Sequence, residues 1–132
     1  MNQNEMGLYR VQAMAGNMGM PGAPILTLDI LVNAVSGSIT GHAVQSQAVA
    51  PPGNKVDITI TKGQLRATGL GQYTKVVYLE GQAVISFPPP AIGSYLAPFS
   101  AHFAVDNSWD GTGGWSLGST DVNNVPIKSN AS

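Results

Sequence analysis

Lys55-Val56-Asp57-Ile58-Thr59-Ile60-Thr61 alternates strictly, with Val56, Ile58 and Ile60 on one face and Asp57, Thr59 and Thr61 on the other. Phe99, Ala101, Phe103 and Val105 oppose Ser100, His102 and Asp106 in the same way. A period of two over this length is the pattern of an extended strand with one dry face and one wet face. Working outward, further strands are predicted at Leu8 to Ala15, Ile25 to Asn33, Ser38 to Ala48, Leu65 to Thr68, Tyr73 to Glu80 and Gln82 to Phe87. Edge pieces follow at Trp115 to Leu117 and Val125 to Lys128. Ser36-Gly37 and Pro51-Pro52-Gly53-Asn54 read as turns, and Pro88-Pro89-Pro90 as a rigid extended connector.

Helix signals are nearly absent. The Met-rich stretch Met14 to Met20 contains two glycines and runs into Pro21, so it reads as a loop. Eight or nine short strands with no substantial helix predict an all-β domain over residues 7–128, between flexible termini at 1–6 and 129–132. The architecture expected is an antiparallel β-sandwich, with a closed β-barrel as the alternative. Ile39-Thr-Gly41-His-Ala43-Val44-Gln-Ser46 echoes Leu79-Glu-Gly81-Gln-Ala83-Val84-Ile-Ser86, with four identities in eight positions. Either two related halves or two strands that each tolerate a glycine bulge would give this echo.

Composition narrows the function. The chain has 132 residues and is 43% hydrophobic, which suits one domain with a core. Only 10% of residues are charged, and the net charge is −1. Six basic side chains cannot neutralise a phosphate track, so no nucleic-acid partner is expected. A surface this weakly charged does little to repel copies of itself, which makes a homo-oligomer a reasonable expectation. The absence of cysteine removes disulfides, thiolate metal sites and cysteine nucleophiles. No apolar run approaches the ~20 residues that span a bilayer, so no membrane insertion is expected. The N-terminus shows no secretory signal, so the default location is cytoplasmic, with leaderless export as the alternative.

The chemistry-bearing segment is Asp106-Asn107-Ser108-Trp109-Asp110-Gly111-Thr112-Gly113-Gly114-Trp115, which holds both tryptophans and two carboxylates. It admits three readings. Asp106-x-Ser108-x-Asp110-Gly111 matches the opening of a calcium loop, but Leu117 stands where the bidentate glutamate belongs. A flexible loop presenting Trp109 and Trp115 would stack on a sugar while Asp106, Asn107 and Asp110 bind its hydroxyls. The plainest reading is an Asp-Gly turn with the rings folded onto the core. His42 and His102 fall in strands and have no third partner in the sequence to make a metal site. No nucleophile elbow, phosphate loop or raised-pKa carboxylate pair is visible, so a non-catalytic protein without metal or cofactor is expected.

Pro21-Gly22-Ala23-Pro24-Ile25-Leu26-Thr27-Leu28, Thr40-Gly41-His42-Ala43 and Gln47-Ala48-Val49-Ala50-Pro51-Pro52 together resemble a family of small bacterial proteins classed only as a domain of unknown function. Gly7-Leu8-Tyr9 at the start and a Trp-containing Gly-Thr loop near the end fit the same family, whereas Leu65 to Glu80 departs from it. The resemblance spans about residues 7–128. It implies a compact β domain and transfers no catalytic or binding residue. The expected role is therefore a binding or interaction module, with a glycan or a protein as partner.

Overall fold

The computed structural model describes residues 7–17, 19–20, 22–47, 54–68, 71, 73–86 and 90–129. Eight strands form: β1 (Leu8–Ala15), β2 (Ile25–Asn33), β3 (Ile39–Gln47), β4 (Asn54–Ala67), β5 (Lys75–Ser86), β6 (Ser94–Val105), β7 (Gly111–Leu117) and β8 (Thr120–Ser129). Each pairs antiparallel with its neighbour in sequence, and β8 returns to β1, closing a barrel. The sandwich expected first therefore gives way to the barrel. Leu65 to Thr68 is no separate strand, because β4 runs on through a register shift between Ile60 and Lys62. Gly81 likewise does not divide β5. The proposed turn at Pro51 to Gly53, most of the proline connector (Pro88 and Pro89) and the chain ends lie outside the described residues; Ser129 belongs to β8.

Alternation sets what each strand buries. Val11, Ala13 and Ala15 of β1, Leu26, Leu28, Ile30 and Val32 of β2, and Phe99, Ala101, Phe103 and Val105 of β6 all face inward. Eight strands enclose a lumen just wide enough for side chains to fill. One contact measures that width directly. Trp115 Nε1 on β7 donates to Gln45 Oε1 on β3 at 2.7 Å, with both groups buried. β3 and β7 are four strands apart in a ring of eight, so this bond crosses the barrel from wall to wall.

The internal echo has a packing cause. Gly41 and Gly81 both stand opposite Ile60 of β4, and Ala43 and Ala83 both stand opposite Ile58. The two similar stretches flank one strand and give its isoleucines small neighbours on both sides. The irregularity sits on β4, not on either glycine strand.

Candidate functional site

The Asp106 to Asp110 turn links β6 to β7 at the lower end of the barrel. Asp106 Oδ1 accepts hydrogen bonds from Ser108 N (2.8 Å) and Asp110 N (3.1 Å). The Trp109 N–H donates to the Asp106 carbonyl at 3.0 Å. This knot holds Trp109 at φ 65, a left-handed conformation uncommon for a bulky residue. The conformation turns the indole inward, where only 4% of the residue remains accessible. Trp109 Nε1 is buried, and among the described residues it has no hydrogen-bond partner of ordinary geometry, the Tyr9 phenol being the polar group beside it. Asp110 Oδ1 accepts from Ser129 N (3.0 Å), tying the end of β8 to the turn, and Asn107 Oδ1 accepts from Thr74 Oγ1 (2.9 Å).

The structure thus gathers Asp106, Asn107, Asp110 and Trp109 in one turn, but it engages the side-chain oxygens of Asp106, Asn107 and Asp110 in hydrogen bonds that hold the turn and its neighbours. Trp115 lies apart, deep in the lumen and 2% exposed. Neither ring offers a face to solvent, which corrects the expectation of a presented stacking platform. The flexible loop is also shorter than the sequence suggested, because Gly111 to Gly114 belong to β7. A Cβ on Gly113 would lie 2.1 Å from His102 O, and one on Gly114 would lie 2.2 Å from Val122 O. Those glycines let β7 press against both neighbours, beside a bulge where Asn124 adopts φ 56.

Two groups beside this floor have shifted acidities. Burial raises the Tyr9 phenol, and the nearby Trp109 side chain offsets part of that rise. Burial lowers the Lys75 ammonium, against the attraction of Asp106. Replacing Asp106 with alanine removes both acceptor bonds that fix the turn. Asp106→Ala should cost about 2 kcal/mol and red-shift tryptophan emission as Trp109 meets water; an unchanged spectrum in the folded variant would contradict the role given to this carboxylate.

The outer wall carries other polar groups. Arg10 Nε and Nη2 grip Asp29 at 2.8 and 2.7 Å, and this fork holds the Asp29 carboxyl below its ordinary range. His42 and His102 both point outward from β3 and β6, strands three apart around a convex wall, so they do not meet. Among the described residues no cluster of three His, Asp or Glu side chains is placed to hold a metal.

The feature that sequence reading missed lies where the barrel closes. β1 and β8 share only three residue pairs, Ala13 with Ser129, Met14 with Lys128 and Ala15 with Ile127. Gly16 N then donates to Pro126 O at 2.9 Å. Pro126 has no N–H to return that bond, so the ladder stops there. Above it, Thr120 to Val125 of β8 has no strand on that side among the described residues. The outer face of this seam holds a groove of about 630 Å³, lined by Met14, Gly16, Asn17, Met20, Pro126 and Lys128. Two thioethers and a proline ring make it apolar, and Lys128 places one cation at its side. Lys128 makes no ion pair among the described residues. The signal available in the sequence was the methionine cluster around Gly16 and Gly19, which read only as a loop.

A search of curated proteins gives no match. The family model described as a domain of unknown function, DUF1842, matches residues 6–120, which takes in β1 through β7 and stops as β8 begins. With a match over most of its length, the chain belongs to the DUF1842 family.

Proposed function

We propose that this chain is a non-catalytic binding module whose seam groove takes a small amphipathic anion, with an apolar body against Met14, Met20 and Pro126 and an acidic head toward Lys128. The observation that carries the reading is the pairing of an open apolar groove of ligand size with one cation, Lys128, that has no ion-pair partner among the described residues. Methionine suits such a surface, since its flexible, polarisable side chain adapts to varied shapes. The lumen is a poorer candidate, because the Trp115–Gln45 bond occupies its middle. A sugar stacked on Trp109 would require the Asp106 turn to open, so the glycan reading ranks behind.

The probe is 8-anilinonaphthalene-1-sulfonate, an aromatic body bearing one sulfonate. The folded protein should bind it saturably with one-to-one stoichiometry. Lys128→Ala should weaken binding about tenfold, as expected for losing one hydrogen bond to a charged group, and Met20→Asp should abolish it. Absence of saturable binding, or binding indifferent to both substitutions, would remove this proposal.

A further inference from the structure

The bulge on β8 leaves two amides on the outer wall. Gly113 pairs with Val125 and Trp115 with Val122, so Asn123 and Asn124 together stand opposite the single residue Gly114. Consecutive residues of a regular strand point to opposite faces. Here Asn124 takes φ 56, and both asparagines are exposed, between half-buried Val122 and buried Val125. Gly114 also pairs with His102 of β6, which is exposed on the same wall. One level of the wall therefore reads imidazole, bare backbone, two carboxamides. His102 and the asparagines are two strand spacings apart, about 10 Å, with no side chain between them. A groove of about 270 Å³ occupies this place, lined by Val76, His102, Thr112, Gly113, Asn123 and Asn124 among others. It shares no lining residue with the seam groove among the described residues.

We propose that this groove binds one sugar ring, seated over Gly114 between the His102 imidazole and the carboxamides of Asn123 and Asn124. The chemistry of the lining selects the ligand class. No Asp, Glu, Lys or Arg lines the groove among the described residues, so neither an anion nor a cation finds its counter-charge there. An apolar ligand would strand the polar groups around it. Each carboxamide sets a donor beside an acceptor, which matches neighbouring hydroxyls that are themselves donor and acceptor at once. Among the described residues no hydrogen bond engages the side chains of His102, Asn123 or Asn124, so all three are available. Thr112 Oγ1 donates to Val125 O at 3.2 Å and keeps its lone pairs for a ligand hydroxyl. The imidazole offers a flat face to the C–H side of the ring. The volume lies just under the ~300–1,000 Å³ of pockets for drug-sized ligands, which suits a single ring. This site is separate from the Asp106 to Asp110 turn and needs no movement of Trp109.

Amide NMR on the full chain reads the site directly. The probes are the methyl glycosides of glucose, mannose, galactose and N-acetylglucosamine, with open-chain sorbitol as the control. At least one glycoside should shift the side-chain amides of Asn123 and Asn124 and the backbone amide of Gly114, saturating with Kd of about 1 mM, as a shallow one-ring site allows. Sorbitol should not, because a flexible polyol must be ordered on binding. Asn124→Gly keeps the left-handed backbone and removes only the amide. It should weaken binding about threefold to tenfold, and His102→Ala should do the same, the usual loss for one hydrogen bond. Both positions are exposed, and circular dichroism checks that each variant folds. An array of immobilised oligosaccharides ending in the same sugars separates the sources. Binding to both probes and array means that a free ring suffices, and Asn124-dependent binding to the array alone assigns the site to glycan ends. No saturable shift with any glycoside together with a silent array, binding indifferent to both substitutions, or equal shifts with sorbitol overturns the proposal. Lys128→Ala should leave these shifts unchanged, so this test is independent of the sulfonate titration.

Discussion

Trp115→Ala should cost about 3–5 kcal/mol, the range for truncating a buried large aromatic. Against a total stability of about 5–15 kcal/mol for a domain of this kind, that is enough to leave much of the protein unfolded at ambient temperature. Two effects combine. The indole fills the space between β3 and β7, and its N–H satisfies the buried amide of Gln45. They can be separated. Trp115→Phe keeps most of the volume but leaves Gln45 Oε1 without its donor, while Gln45→Leu leaves the indole N–H without an acceptor. Each single change should cost about 1–3 kcal/mol for the orphaned group. The double variant should cost less than the two together, because no polar partner is left stranded. Urea midpoints at constant slope measure all four; simple additivity would mean that the bond across the lumen contributes little.

The second large effect comes from the small residues that flank β4. A Cβ on Gly41 would lie 2.4 Å from Asp29 O, and Gly41 also has φ +144. A Cβ on Gly81 would lie 2.1 Å from Thr59 O. In both cases the obstacle is backbone of the neighbouring strand, which cannot rotate aside as a side chain would. Gly41→Ala and Gly81→Ala should therefore each destabilise by about 3 kcal/mol, from overpacking and, at Gly41, added backbone strain. Gly19→Ala is the internal control, with no described residue within 4 Å of its added methyl and an expected change within about 0.5 kcal/mol. Equal midpoints for the Gly41, Gly81 and Gly19 variants would mean that close strand approach does not shape this barrel.

These glycines also mark where sequence reading stopped. Alternation at Lys55 to Thr61 and at Phe99 to Val105 identifies the dry face of β4 and β6 correctly, because side-chain direction along a strand is a local property. Closure is not local. Period two is common to sandwiches and barrels, and the choice rests on how sharply strands can coil against each other. Gly41, Gly63, Gly81 and Gly113 sit within strands, where a one-dimensional pattern takes a missing side chain for a bulge or an end. What matters is the carbonyl or isoleucine across the gap, which only the register reveals.

The candidate site was half legible for a related reason. Asp106, Ser108 and Asp110 advertised a hydrogen-bonded turn, and the turn is there. That it would force Trp109 to positive φ and turn the ring inward could not be read from residue preferences, because tryptophan seldom adopts that conformation. The seam groove was hidden differently. Met14 and Lys128 are 114 residues apart in the chain and become neighbours only when β8 returns to β1.

Closure of the ring is thus the claim on which the groove and the filled lumen both rest. Nuclear Overhauser contacts between β1 and β8 test it most directly. A closed barrel should give cross-strand contacts joining Ala13, Met14 and Ala15 to Ser129, Lys128 and Ile127, together with a Gly16 amide that exchanges slowly through its bond to Pro126. Two separate sheets with β1 and β8 apart would give none of these contacts and a Gly16 amide that exchanges freely, and that result would contradict the structure described here.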